Sequence, residues 1–303
     1  MSTTRILVTG ASGQVGSAAV RSLASLGEVI APARDRLDMA DPTSIRSVMR
    51  EVRPRWVVNA AAHTAVDKAE SEPELAFALN AEAPRVLGEE AREIGAGVIH
   101  FSTDYVFDGS GERPWVETDP TGPLNVYGRS KLAGEQALAA TGATHFIFRT
   151  SWVYGATGKN FLLSILRMAR EREVLRIVAD QHGAPTWSED LARLAAHVIA
   201  QVDKNGEDSL PNNLSGVYHA GGSGQTTWFG FASAAVDMLR EQNPGAMLAS
   251  VEPIATADYP TPARRPANSR LDCTKLAAVF GIRMLDWQES LRQVMQQLYS
   301  PRN

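Results

Sequence analysis

Ile6-Leu7-Val8-Thr9-Gly10-Ala11-Ser12-Gly13-Gln14-Val15-Gly16 is the stretch whose reading decides the fold. Its first four residues form a short apolar, partly β-branched run, as expected of a parallel strand buried on both faces. Three glycines follow at once, and a helical pattern continues through Leu23 and Leu26. A strand, a glycine-rich turn and a helix in that order predict a dinucleotide-binding βα unit. The glycines permit a tight turn and close approach of a pyrophosphate, and the helix N-terminus faces the charge. Gly10, Ser12, Gly13, Gln14, Val15 and Gly16 are the predicted cradle; turn glycines without a ligand are the alternative.

Further apolar runs extend the pattern. Val29-Ile30-Ala31 is a second strand, ending at Pro32-Ala33-Arg34, where a basic residue suits the extra phosphate of NADP and an acidic one the ribose diol of NAD. Arg34 and Arg36 favour NADPH; Asp35 between them leaves NADH open. Asp38-Met39 precede Asp41-Pro42-Thr43, which reads as a helix start. Trp56 to Ala62 is another buried strand, whose small residues Ala61 and Ala62 let a cofactor lie close. His63 and Thr64 stand at its carboxyl end, where open α/β sheets bind ligands. His63 is read either as a contact or as a hydrogen-bonded loop residue. The predicted class is α/β: a Rossmann-type doubly wound parallel sheet in residues 1–155, and a smaller C-terminal lobe in 156–303 with some segments returning to the sheet.

With 303 residues, 44% hydrophobic and 21% charged, the chain is long enough for such an arrangement and ordinary for a soluble protein. A net charge of -4 offers no electrostatic case for nucleic acid or an acidic membrane surface. The single cysteine, Cys273, cannot form an internal disulfide, no apolar run approaches membrane-spanning length, and the N-terminus runs straight into a strand. A cytoplasmic protein is expected.

The chemistry is predicted around Tyr127-Gly128-Arg129-Ser130-Lys131, a tyrosine and a lysine one helical turn apart on one face. A phenol acts as a general acid near neutrality when a neighbouring ammonium stabilises its phenolate, and the same lysine can hold a ribose hydroxyl. Gly97 to Thr103 is a strand finishing in the hydroxyls of Ser102 and Thr103. A hydroxyl there can polarise a carbonyl while Tyr127 protonates it. Thr103, Tyr127 and Lys131 together make chemical sense beside a nicotinamide.

The glycine spacing resembles the extended short-chain dehydrogenase/reductase superfamily, and longer blocks narrow the resemblance. Residues 59–70, from Asn59-Ala60-Ala61-Ala62-His63-Thr64 to Glu70, are similar to the dTDP-4-dehydrorhamnose reductase family. So are Ser102-Thr103-Asp104-Tyr105-Val106-Phe107, Pro123-Leu124-Asn125-Val126-Tyr127-Gly128 and Arg149-Thr150-Ser151-Trp152-Val153-Tyr154. Asp180-Gln181-His182-Gly183-Ala184-Pro185-Thr186 and Tyr259-Pro260-Thr261-Pro262-Ala263-Arg264-Arg265-Pro266 complete a match that spans nearly the whole chain. The resemblance implies reduction of the C4 carbonyl of dTDP-4-dehydro-L-rhamnose by NADPH or NADH. It implies Tyr127 as proton donor, Lys131 as its tuning partner and Thr103 as the hydrogen-bond partner of the oxygen. It also implies an adenine contact at Asp38, an asparagine behind the lysine at Asn80, and sugar contacts at Thr103, Asp104 and Trp152. Asn160 is read as a helix cap or a substrate contact, and Arg265 as a diphosphate contact or a solvated arginine.

Some relatives bind Mg2+ at a dimer contact through glutamates, one of them in the first helix. Here that helix begins Ser17-Ala18-Ala19, so although Glu189 and Glu289 remain, no metal site is expected and a homodimer is left open. A polar run at residues 204–213 reads as an insertion between elements. The competing readings are another sugar-nucleotide 4-ketoreductase, a sugar-nucleotide epimerase or dehydratase, and a non-catalytic NADP-binding regulatory subunit. Dehydratases of this type want Asp-Glu after the threonine, where this chain has Asp104-Tyr105.

Overall fold

The computed structural model describes residues 4–203, 210 and 212–299; most of the polar run 204–213 therefore lies outside the described residues. Six strands form one parallel sheet: β1 (Arg5–Thr9), β2 (Glu28–Ile30), β3 (Trp56–Asn59), β4 (Gly97–Thr103), β5 (Thr144–Thr150) and β6 (Gly216–His219). Their order in space is β6-β5-β4-β3-β1-β2. The strand order reverses at β1 and β3, which opens a crevice above their carboxyl ends where such sheets take ligands.

β3 and β4 are buried along their whole length, which explains sequences without polar alternation. One face of the sheet is covered by α1 (Gln14–Leu23) and a later helix, Ser188–Val202, through Leu23, Leu191, Leu194 and Val198. The other is covered by α2 (Pro42–Val52), α3 (Ala83–Ile94) and α4 (Val126–Ala140). α2 starts where Asp41 accepts a hydrogen bond from the Thr43 N–H, with proline at the first helical position.

Residues from Tyr154 onward build a second apolar core from α5 (Phe161–Glu171), α7 (Trp228–Gln242) and α8 (Trp287–Tyr299), while α6 (the helix Ser188–Val202) belongs to the first. A parallel pair, Val174–Val178 with Ser250–Ile254, lies among them. The chain does not divide cleanly at residue 155, because α6 packs on α1 and β6 completes the sheet edge beside β5. Lys159 and Trp228 from this half of the chain line the crevice.

Candidate active site

The glycine turn is shaped for close approach. Gly10 has φ +66°, and a Cβ there would lie 2.6 Å from the Ala61 nitrogen. A Cβ on Gly16 would lie 2.1 Å from the Gly10 carbonyl oxygen, so that glycine lets α1 press onto the turn rather than touch a ligand. A cleft of about 960 Å3 opens over the turn. Gly10, Ser12, Gly13, Gln14, Val15, Arg34, Asp38, Met39, Ala61, Ala62 and Thr64 line one part of it. Ser102, Thr103, Asp104, Tyr127, Lys131 and Trp152 line the other. A glycine-floored end leading to hydroxyl, phenol and amine groups fits a dinucleotide with its reactive ring beside Tyr127.

α4 holds Tyr127 and Lys131. Asn125 caps it, accepting from the Gly128 N–H at 2.8 Å and donating to the Arg264 carbonyl at 2.8 Å. Glu70 accepts from the Val126 N–H at 2.7 Å, so the first turn is tied at two points. Tyr127 reaches the cleft with its ring edge-on to Tyr105, centroids 5.7 Å apart. Thr103 ends β4 and donates to Asp104 Oδ1 at 3.0 Å.

The electrostatics differ from the sequence expectation in one respect. Burial pushes the Tyr127 phenol up to about 12, partly offset by a hydrogen bond with Thr103 and reinforced by Asp104. Lys131 does not lower it, because its Nζ is turned to the strand and donates to the Phe101 carbonyl at 2.6 Å. Lys131 is itself pulled down to about 8 by burial, against the pull of Glu135. Burial also raises the Asp104 carboxyl to about 7. Its Oδ2 has no well-aligned partner, and hydrogen bonding with Ser269 and Thr103 offsets only part of the shift.

Beneath these groups, Glu135 is bound bidentately by Arg149, at 2.9 Å from Nε and 2.7 Å from Nη2, and also accepts from Ser102. Both charges are almost fully buried. Such a pair fixes α4 against β4 and β5, because losing either partner would strand the other charge.

The chain matches the family described as RmlD substrate binding domain over residues 4–300. It is 48% identical to the dTDP-4-dehydrorhamnose reductase of Burkholderia thailandensis, over 98% of this chain and 99% of that one. The Escherichia coli K12 enzyme of the same name is 46% identical over 97% of this chain and 98% of its own. This chain belongs to the dTDP-4-dehydrorhamnose reductase family. Among solved structures, a dTDP-4-dehydrorhamnose reductase of Bacillus anthracis in complex with NADP superposes with a TM-score of 0.89 at 32% identity, covering 98% of this chain and 100% of that one. That of Clostridium acetobutylicum superposes with a TM-score of 0.88 at 35% identity, covering 97% and 99%.

Within this reductase, four predicted residues stand apart from the cleft lining. Gly16 lies under the turn. His63 is buried, with Nε2 3.3 Å from Glu72 and its backbone N–H donated to Asn80 Oδ1. Asn160 caps α5 through the Leu163 N–H and donates to Gln14 Oε1 at 2.9 Å and to the Gly155 carbonyl. Arg265 is held by Asp67, at 2.7 and 3.1 Å, and borders a second hollow with Asp180, Thr256 and Tyr259. Trp228 is one of several cleft residues that sequence reasoning missed, with Tyr105, Ser151 and Lys159 among the others; its only local signal is an aromatic opening a helix capped by Thr227.

The residues do not fit a magnesium site. Glu189 is paired with Arg21, and Glu289 with Arg292 and Gln293. Among the described residues no three His, Cys, Asp or Glu side chains are grouped to hold a metal ion. Nor, among the described residues, is any helix long and apolar enough to cross a membrane.

Proposed function

We propose that this reductase converts dTDP-4-dehydro-L-rhamnose to dTDP-L-rhamnose, with NADPH preferred over NADH. The observation that carries the reading is the convergence of Thr103, Tyr127 and Lys131 at one end of a glycine-floored cleft. The glycine turn, Ala61, Ala62 and Thr64 would hold the dinucleotide, with Arg34 and Asp38 at its adenosine end. The bound reduced nicotinamide supplies hydride.

Tyr127 delivers the proton to the C4 oxygen as that oxygen gains charge. Its phenol is protonated throughout the neutral range, the form a general acid needs. The Thr103 hydroxyl hydrogen-bonds the same oxygen. Lys131 would hold the cofactor's ribose in place of the Phe101 carbonyl, and its charge would favour the phenolate left behind on Tyr127. Trp152 offers an apolar face to the 6-deoxy sugar, and Asp104 contacts a sugar hydroxyl. Residues 156–303, less the segments that return to the sheet, present the nucleotide part of the substrate. Reaching it with Arg265 requires the guanidinium to exchange Asp67 for phosphate. The site acts in the cytoplasm, and any homodimer forms without a metal.

The test is NADPH and NADH oxidation with this substrate, with the product identified. Tyr127→Phe should lose about 10²- to 10⁴-fold in turnover while keeping cofactor affinity. Absence of oxidation with either cofactor, or an equally active Tyr127→Phe, would overturn the reading.

A further inference from the structure

A line of buried polar side chains runs behind the site, and the chemistry above does not use it. Thr9 Oγ1 donates to Asn59 Oδ1 at 2.6 Å. The Asn59 amide nitrogen consequently faces His100 Nδ1, at 3.0 Å. An amide nitrogen only donates, so Nδ1 must accept. In a neutral imidazole the proton then sits on Nε2, and Nε2 lies 3.3 Å from Lys131 Nζ. Thr9, Asn59 and His100 are 1% exposed and Lys131 2%, so these bonds are shielded from bulk water. Burial and the neighbouring lysine hold His100 well below the ordinary histidine range, which keeps the ring neutral.

We propose that His100 is a positioning residue for Lys131: fixed as the Nε2–H tautomer by Asn59 and Thr9, it turns an N–H toward Nζ and favours the amine over the ammonium. An ammonium has three N–H groups and no lone pair, so it meets Nε2–H donor to donor. An amine can accept that N–H and still donate to the Phe101 carbonyl. The proposal rests on the reductase reading only for the task it gives Lys131.

Other groups face the lysine from each neighbouring element. On α4, Glu135 favours the ammonium, but its carboxylate is already shared with Arg149 of β5 and Ser102 of β4. Tyr127, one turn earlier, is uncharged near neutrality, and Asp104 past the end of β4 acts on Tyr127. His100 on β4 and Asn59 on β3 thus form the arm that opposes Glu135. Burial weighs on the same side, in keeping with a lysine drawn down to about 8.

His100→Asn keeps an acceptor for Asn59 and deletes the N–H that faces Nζ, whereas His100→Gln restores an amide donor there. The experiment is an NMR titration of the 15N-labelled Lys131 amine in the cofactor-free protein, assigned with Lys131→Arg, together with the pH profile of kcat/KM. His100→Asn should titrate about one pH unit higher and move the alkaline limb the same way, with His100→Gln returning toward the parent. An unmoved Lys131 titration in folded His100→Asn, or a His100→Gln that behaves like His100→Asn, overturns the proposal. Imidazole 15N shifts of His100 in the unaltered protein give a test that needs no variant, and an Nδ1–H tautomer overturns it too. A shifted titration without any reductase turnover would instead sink the functional reading and leave this one standing.

Discussion

The indole of Trp152 lies stacked on that of Trp228, ring centroids 3.8 Å apart and planes 16° from parallel. Trp152 follows β5 with a backbone φ of +48°, a conformation bulky residues rarely adopt, so the surroundings must hold it there. Trp228 opens α7 in the other lobe and leans in turn on Phe161, centroids 4.6 Å apart. One face of the proposed sugar platform is thereby fixed across the lobe boundary.

Trp228→Ala should leave Trp152 free to rotate. Stacking of this kind is worth about 0.5–1.5 kcal/mol beyond area burial. The KM for the sugar nucleotide should rise several-fold while the affinity for NADPH stays constant. An unchanged KM would remove Trp152 from the sugar site.

Gly16→Ala drives a Cβ into the Gly10 carbonyl oxygen, a contact of 2.1 Å that backbone cannot easily relieve. Overpacking of this sort costs about 1–3 kcal/mol or more. The variant should melt several degrees lower and lose NADPH affinity, measured by thermal denaturation and fluorescence titration. Normal binding with a normal melting temperature would show that the turn does not need that glycine.

Arg34 is exposed on the lining of the cleft, its Nε 4.0 Å from Asp38, where the proposed reading puts the adenosine. Arg34→Ala should weaken NADPH roughly tenfold and leave NADH nearly untouched, the weight of one exposed charge-assisted contact. Equal losses for the two cofactors would transfer the preference to another residue.

Asp104 carries a pH dependence of unusual sign. Its carboxyl, raised to about 7 by burial, keeps its proton in the folded chain where an unfolded aspartate has lost it. Between about pH 4, the unfolded value, and pH 7 the native state binds more protons, so this group's contribution to stability falls as pH rises and levels off above 7. Asp104→Asn should flatten that part of the stability curve in urea melts at several pH values. Identical curves for the two proteins would mean that Asp104 ionises normally.

Much of the fold is legible locally. The run Ile6 to Gly16 forms strand, turn and helix from neighbours in sequence, and Tyr127 and Lys131 share a face because a helix repeats every four residues or so. The apolar runs at Trp56 and Gly97 announce buried strands. The ion pair between Asp67 and Arg265 is not legible in this way, because nothing near either residue in sequence signals that pairing.

What the sequence determined by itself is the set of chemical groups: a glycine cradle, a hydroxyl, a phenol and an amine, each on an element its own neighbours specify. Tertiary structure decided which of them meet. Trp152 finds Trp228, Asn160 finds Gln14, and Thr9, Asn59 and His100 align behind Lys131 only once β1, β3 and β4 lie side by side. The resting pKa of Tyr127 was likewise decided there. Lys131 is a neighbour through helix geometry, but burial raises the phenol and the Phe101 carbonyl takes the lysine's N–H, and both depend on packing contributed by distant chain.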